Sequence, residues 1–490
     1  MTSPTSVLGS REGSKLTPRI GLAGDWVIGA ANAGPGLSLS LTLAAIAAAT
    51  AYGSGPVILL CAVPMLIIAA CYRRLNAWNA NCGAAFDWVG RSISPYLGWL
   101  TGWLMIMANL IGNVAAVTVL APSVLAVFGQ NQNARWPNIF IDTAVGVVMI
   151  IIAIIGIRLS ARTQIVLAIV EYGIIIGLAI AATVFWAGHH AGTYPPSTGW
   201  LSLSGIGGKG SLSAGLLFAV FMFVGWDASA NVNEETHQPR VNPGRAVLLV
   251  VVFLGLFYAL STMALQGAVS PHALQANAAA PLVFIGHVIG GTWLGRLAGL
   301  AVALSVIAGT GTGFVVLGRI GFGMAGTGAL PAPLGNLNTR FNTPVLATMI
   351  PGVAFLVVTW VYLLVGSVAS AFGALVAGTG ILFTCYYILT AAAMITYYRR
   401  RVFSSPAGAF MNGLLPLAAA AFLGWIIWKA MAANAANVNW TIGGIVGVGI
   451  VLMIATRLSV GGAGYFATRR EADVPEAGRS ESLAEARHRD

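Results

Sequence analysis

Residues 223–235 read FVGWDASANVNEE. Asp227 follows Gly225 by two residues, near the end of an apolar run that starts at Leu212. An ionised aspartate at the centre of a membrane helix costs about 2.5–3.5 kcal/mol on the insertion scale. Asp227 precedes Glu234 by seven residues, about 10 Å along a helix. That cost falls if the acid is protonated, if a cation sits beside it, or if it faces water. A structural alternative is a carboxylate that caps a broken helix through backbone N–H groups.

The surrounding chain is membrane-grade. Of 490 residues, 57% are hydrophobic and 8% charged, against about 25% charged in ordinary soluble domains. No Lys, Arg, Asp or Glu occurs from Phe341 to Tyr398, a gap of 58 residues, which is room for two spans of about 20 residues and a turn. A soluble core of this composition lacks the polar surface to cover itself. The first 20 residues are polar and carry Arg11, Lys15 and Arg19, so the apolar stretch after them is expected to be a mature span rather than a leader. Cys61, Cys71, Cys82 and Cys385 lie in or beside apolar runs with no metal or disulfide spacing.

Hydropathy places twelve spans, at 22–50, 54–72, 95–128, 138–157, 163–188, 212–233, 246–270, 281–308 with a continuation to about 325, 343–364, 368–397, 412–432 and 440–460. A short re-entrant piece is expected near Pro281, with the eighth span proper starting near Arg296. With the N-terminus in the cytoplasm, 21 of the 25 Lys and Arg fall inside, Arg319 among the loop cations, and four fall outside. This bias supports an even span count with both termini cytoplasmic. The net charge of +11 is spread over separate loops, which excludes a nucleic-acid surface. The chain therefore divides into a tail at 1–20, five-span blocks at 21–190 and 211–398, two further spans at 411–461, and a solvated tail at 467–490.

Two spans look interrupted. The first contains GAANAGPGLS, Gly29 to Ser38, and the sixth contains GWDASAN, Gly225 to Asn231. Small residues also make helix-packing faces. Here, however, both interruptions fall in the first span of a five-span block. An odd number of spans inverts the second block, and paired breaks at matching positions of inverted halves point to a secondary transporter's site. Twelve of the fourteen acids sort to tails, loops or span ends, Asp25, Asp142, Glu234 and Glu235 among them, leaving Glu171 and Asp227 inside spans. Burial raises a carboxylate's pKa and a nearby cation lowers it, so such an acid can release a proton as a cationic group arrives. Asn109 and Asn113 share a helix face; with Thr310, Thr312 and Thr379 they serve either as cavity lining or as helix-packing hydrogen bonds. Trp226 is either a gate or a packing residue.

Four stretches carry a family resemblance: IGAANAGPG at 28–36, NCGAAFDWVGRSISPYLGWLTGW at 81–103, FVGWDASANVNEETHQPRVNPGRAV at 223–247, and GRIGFGMAGTGALPAPLGNLNTRFNTPVLA at 318–347. They resemble the amino acid–polyamine–organocation (APC) superfamily of permeases, and the third is the most specific. The resemblance implies an all-α polytopic membrane protein with a LeuT-like five-plus-five inverted repeat, discontinuous first and sixth helices, and two extra C-terminal helices. It implies that backbone around Gly29, Ala30, Ala31, Asn32, Ala33, Gly34 and Gly36 receives a substrate carboxylate, as half-helix N-termini do. Carbonyls around Phe223, Gly225 and Trp226 would take the amine, with Asp227 beside them; Asn109 and Thr310, read from the residues alone, are the candidate lining side chains. Two positions depart from the pattern. Glu171 stands where several proton-coupled relatives carry lysine, so it either carries a proton or helps hold sodium. Gly326 and Thr327 replace an Arg-Asp pair, weakening any gate ion pair there.

The expectation is a secondary active transporter of an amino acid or related amine such as a polyamine, working by alternating access in the plasma membrane. It would be proton-coupled through Asp227 and Glu171. No cofactor, metal or nucleic acid is implied; a proton or sodium gradient is the driving force and the lipid bilayer the surroundings. An exchanger and a membrane-embedded sensor are the alternatives. An enzyme is disfavoured because the six histidines lie in loops, tail or span ends and no metal or nucleophile motif appears.

Overall fold

Proline and glycine punctuate the helices of a computed structural model that describes residues 16–132, 134–190, 192–201, 203, 208–365, 368–402, 404–433, 436–459 and 462–467. The expected tails lie outside these residues except for 16–20 and Ala467. α1 (Leu22–Asn32) stops two residues before α2 (Pro35–Thr50). Gly34 between them has φ +55°, a left-handed conformation that glycine adopts without a Cβ clash. Pro35 opens α2 where its missing N–H removes nothing from the helix. α3 (Ser54–Trp78), α4 (Ala85–Ser92), α5 (Pro95–Val127) and α6 (Arg135–Ile155) follow. Gly156, at φ +134°, is the single residue joining α6 to α7 (Ile157–Ala187).

The second interruption falls where α8 (Gly208–Met222) ends and α9 (Ala228–Asn231) begins. Residues 223–227 between them form turns, with Gly225 at φ +96°. Both expected breaks are therefore present. After α10 (Asn242–Gln266) and α11 (Pro271–Ala276), α12 (Pro281–Gly326) bends sharply at Gly290 and Gly291. A Cβ on Gly286 would lie 2.7 Å from the Leu294 carbonyl oxygen, so the short first segment folds back on the long one. This matches the re-entrant piece, with the turn about five residues before Arg296. α13 (Val345–Val365), α14 (Val368–Tyr397), α15 (Arg399–Val402), α16 (Pro406–Ala409), α17 (Leu415–Ala433), α18 (Ala436–Leu458) and α19 (Gly462–Phe466) complete the chain.

Among the described residues, ten helical segments are long and apolar enough to cross a membrane; the first is the run Leu22–Trp78, and Leu212–Met222 is a shorter apolar helix. No strand occurs among the described residues. α12 packs against α1, α2, α5 and α7, and α10 packs against α1, α2 and α3. α7, on the outside, leaves Val166 62%, Ile169 68%, Ile180 60% and Val184 67% exposed. Apolar side chains on that scale, on a face more than four turns long, belong in hydrocarbon rather than water.

Two sequence assignments need correcting. Arg319 is not a loop cation. It is fully buried in α12 and paired with Glu235, itself 2% exposed, through Nε–Oε2 at 2.7 Å and Nη2–Oε1 at 3.1 Å. The sequence sorts Asp25 and Asp142 to tails, loops or span ends; Asp25 is indeed in the first turn of α1, but Asp142 lies inside α6, and both are buried, 0% and 1% exposed. Asp142 lies seven residues into α6, a depth that a charge count along the sequence does not resolve.

Candidate substrate site

The two breaks meet. The Asn32 amide nitrogen donates to the Gly225 carbonyl oxygen at 3.1 Å, and the Thr312 hydroxyl donates to Asn32 Oδ1 at 3.3 Å. The crossing requires small residues. A Cβ on Gly29 would lie 2.4 Å from Ser229 Oγ and 2.9 Å from the Trp226 carbonyl, and one on Gly225 would lie 2.7 Å from the Asn32 carbonyl. Real Cβ contacts do not come this close, so both glycines are fixed by helix approach.

Beside the crossing lies a cavity of about 70 Å³, lined by Asn32, Ala33 and Gly34 at the first break, Leu37 and Ser38 of α2, and Phe221 and Val224 at the second break. α5 adds Ala108, Asn109, Gly112, Asn113 and Ala116; α12 adds Gly309; α14 adds Thr379 and Phe383. Its polar side chains are thus three asparagines, a serine and a threonine, and no charged residue is among the lining. Of the expected binding residues, Asn32, Ala33, Gly34 and Asn109 line the cavity, as do Asn113 and Thr379. Gly29, Ala30, Ala31, Gly36, Phe223, Gly225, Trp226, Asp227 and Thr310 do not. Phe223 meets Tyr258 edge-on at 5.8 Å. Thr310 and Thr312 are both fully buried in α12.

Asp227 faces a different set of groups. Tyr386 donates to its Oδ2 at 2.9 Å and Tyr387 to its Oδ1 at 2.8 Å. Both tyrosines sit on α14, one turn beyond Phe383. The ring of Trp226 stacks on Tyr387 with centroids 5.2 Å apart, and Tyr72 of α3 meets Trp226 edge-on at 5.0 Å. Trp226 is therefore packed into an aromatic cluster, and Asp227 ties the second break to α14. The tyrosines were not singled out in the sequence; the adjacent pair in CYYILT was the available signal.

Glu171 reaches the first break instead. Its Oε1 accepts the Gly36 N–H at 2.8 Å. Ser305 of α12 accepts the Leu37 N–H at 3.1 Å. An α-helix leaves its first four N–H groups without helical partners and carries a partial positive charge there. A carboxylate and a hydroxyl from two neighbouring helices supply those partners at α2.

Beyond the breaks, the arginine-rich end of the bundle is tied shut. Besides the Arg319–Glu235 pair, the Cys82 N–H donates to Glu234 Oε1 at 2.9 Å, and the Cys82 thiol donates to the Arg319 carbonyl at 3.3 Å. Asn233 donates to Asn76 Oδ1 at 2.8 Å and to the Asn81 carbonyl at 3.0 Å. The Arg19 N–H donates to the Glu235 carbonyl at 2.7 Å. Burial holds the Glu234 carboxyl above its ordinary range, with the Cys82 N–H partly offsetting it. Burial, and then the Glu234 charge, push the Cys82 thiol well up. The ion pair stands at a different place from the Gly326–Thr327 position, where the sequence weakens any such pair.

Comparison with known proteins places this architecture. The profile of the family described as amino acid permease matches residues 26–468. A relative named cationic amino acid transporter 3, mitochondrial, from Arabidopsis thaliana is 23% identical over 339 residues, 66% of this chain and 51% of that protein. The vacuolar cationic amino acid transporter 2 of the same plant is 22% identical over 338 residues, 66% of this chain and 49% of that protein. The cadaverine/lysine antiporter of Escherichia coli K12 is 27% identical over 274 residues, 56% of this chain and 60% of that protein. The chain thus spans about half the length of the plant relatives it matches.

Proposed function

This chain belongs to the amino acid permease family, and from that premise we propose that it is a secondary active transporter of an amino acid or related amine. The observation that carries this reading is the cavity at the crossing of two interrupted spans, lined by both breaks. Non-helical backbone at membrane depth is tolerated where it lines such a cavity, and half-helix ends there hold small charged molecules. The proposed frame is twelve spans, with an inverted five-plus-five repeat, two added C-terminal helices and both termini in the cytoplasm of the plasma membrane. Alternating access follows if the ties at the arginine-rich end release while the opposite side closes, each state binding the substrate differently.

Coupling falls to the two buried acids beside the breaks. Glu171 holds the start of α2 and Asp227 holds the second break to α14. Protonation of either weakens its hold on these donors, which links charge to the packing of a moving segment. A second reading, exchange of one amine for another, is favoured by the antiporter named among the relatives. Uptake into proteoliposomes tests both readings. Imposed pH and sodium gradients drive net accumulation in a symporter, whereas an exchanger responds to substrate preloaded in the lumen. If Glu171 carries the proton, Glu171→Gln flattens the pH dependence of uptake, and a wild-type pH profile in that variant removes it from coupling. An absence of any uptake or exchange across amino acids and polyamines refutes the transport reading.

A further inference from the structure

We propose that the site takes a primary amine that carries no carboxylate, because Glu171 already fills the place a substrate carboxylate would take. This rests on the transport reading above and names its substrate class. Every N–H at the first break has an internal acceptor. Ala33 donates to the Gly29 carbonyl at 3.3 Å, Gly34 to Ala31 at 3.0 Å, and Ser38 to Gly34 at 2.8 Å. Pro35 has no N–H. Gly36 and Leu37, the two donors left at the start of α2, go to Glu171 and Ser305. The anion site of this half-helix is therefore occupied by the protein's own carboxylate, which is 1% exposed. A second carboxylate brought to the same N–H groups would find those donors taken, and would meet a like charge whenever Glu171 is ionised.

The cavity supplies no substitute. None of its lining residues is cationic. The Asn32 amide nitrogen is engaged by Gly225, and that of Asn109 by the Met105 carbonyl at 2.9 Å. The Asn113 amide nitrogen stands without a partner and carries two N–H donors, but these are neutral amide donors, without the partial positive charge of a helix N-terminus. For an ammonium group the same surroundings are favourable. α8 ends at the cavity beside Phe221 and Val224, and the last carbonyls of a helix carry partial negative charge. Ser38, Asn109, Asn113 and Thr379 bring oxygens that accept. Glu171 stands one residue behind the lining, its Oε2 without a hydrogen-bond partner, and when ionised it adds negative charge there. The site is built to hold a positive end and is already filled on its negative one.

The test uses the full chain in proteoliposomes and three matched pairs: cadaverine and lysine, agmatine and arginine, isobutylamine and valine. In each pair the wild type is expected to take up the amine about tenfold or more faster than its amino acid, the factor set by one missing charge-assisted hydrogen bond. Glu171→Ala frees the Gly36 N–H and moves the ratio towards the amino acid by a similar factor. Glu171→Gln keeps an acceptor for that N–H and retains the amine preference. Wild-type uptake of the amino acids equal to or above that of the amines overturns the proposal while leaving the transporter intact. So does an unchanged ratio in folded Glu171→Ala; if that variant does not fold, the wild-type ratios decide. Uptake of neither member of any pair overturns the transport reading and this proposal with it.

Discussion

Removing the Arg319 guanidinium should open the arginine-rich end. In Arg319→Met, Glu235 keeps its burial and loses both of its close ion-pair contacts, at 2.7 and 3.1 Å. Breaking a buried pair by deleting one partner costs about 3–5 kcal/mol, mostly because the other charge is left uncompensated. The cost falls on the closed arrangement, since opening rehydrates Glu235. Taking the lower figure, the opening equilibrium rises by about 150-fold. Cys82 reports it directly: it is fully buried and its thiol donates to the Arg319 carbonyl. With Cys61, Cys71 and Cys385 replaced, labelling by a membrane-impermeant maleimide follows the open population. The sign is unambiguous. Arg319 lowers the thiol pKa, although burial and then Glu234 raise it further. Without Arg319 the closed-state thiol is even less ionised, so faster labelling can only come from opening. A labelling rate within threefold of the parent would refute the assignment of this pair as a lock. Glu235→Gln combined with Arg319→Met should recover most of the protection, because the orphan charge is gone.

Gly225→Ala should lower uptake more than tenfold with normal membrane insertion: it forces a side chain into φ +96° and a Cβ to 2.7 Å from the Asn32 carbonyl. Wild-type transport in that variant would contradict the tight crossing. Asp227→Asn offers one acceptor oxygen where two tyrosine hydroxyls now donate, leaving a buried mismatch of about 1–3 kcal/mol. Accumulation should be lost while the protein still elutes as a folded species; unchanged uptake removes Asp227 from the mechanism. Glu234 has a raised carboxyl pKa, chiefly through burial. Its contribution to the closed state is present at acid pH and is lost as pH rises from the ordinary carboxyl value through the raised one. Glu234→Gln should therefore flatten the pH dependence of Cys82 labelling, and an unaltered profile would exclude Glu234 as its source.

The helical architecture and both interruptions were legible because each is a local signal. Apolar length marks a span, and a proline between glycines at Pro35, or a glycine beside an acid at Gly225, marks a break. What was not legible depends on rotation about a helix axis. Arg319 lies near the end of α12, where a charge count reads a loop, yet it points inward to Glu235. Asp25 and Asp142 likewise sit near ends but on buried faces. The binding residues divided for the same reason. Asn109 and Asn113 face the cavity, whereas Thr310 and Thr312 of α12 do not line it. Asp227 was identified as unusual, but its tyrosine partners lie some 160 residues away on another helix, and no short-range pattern announces them. Glu171 stood out as a departure from relatives; that its partner is the Gly36 N–H follows only from how α7 packs beside the first break.

Two polar contacts stitch one interrupted span to the other: the Asn32 amide donates to the Gly225 carbonyl, with Thr312 backing it, and the Ser229 hydroxyl donates to the Asp25 carbonyl at 2.9 Å. Segments joined in this way cannot swing apart without breaking buried polar contacts. Under the transport reading proposed above, the two interrupted spans then turn together, and a rotation of one drags the other with it.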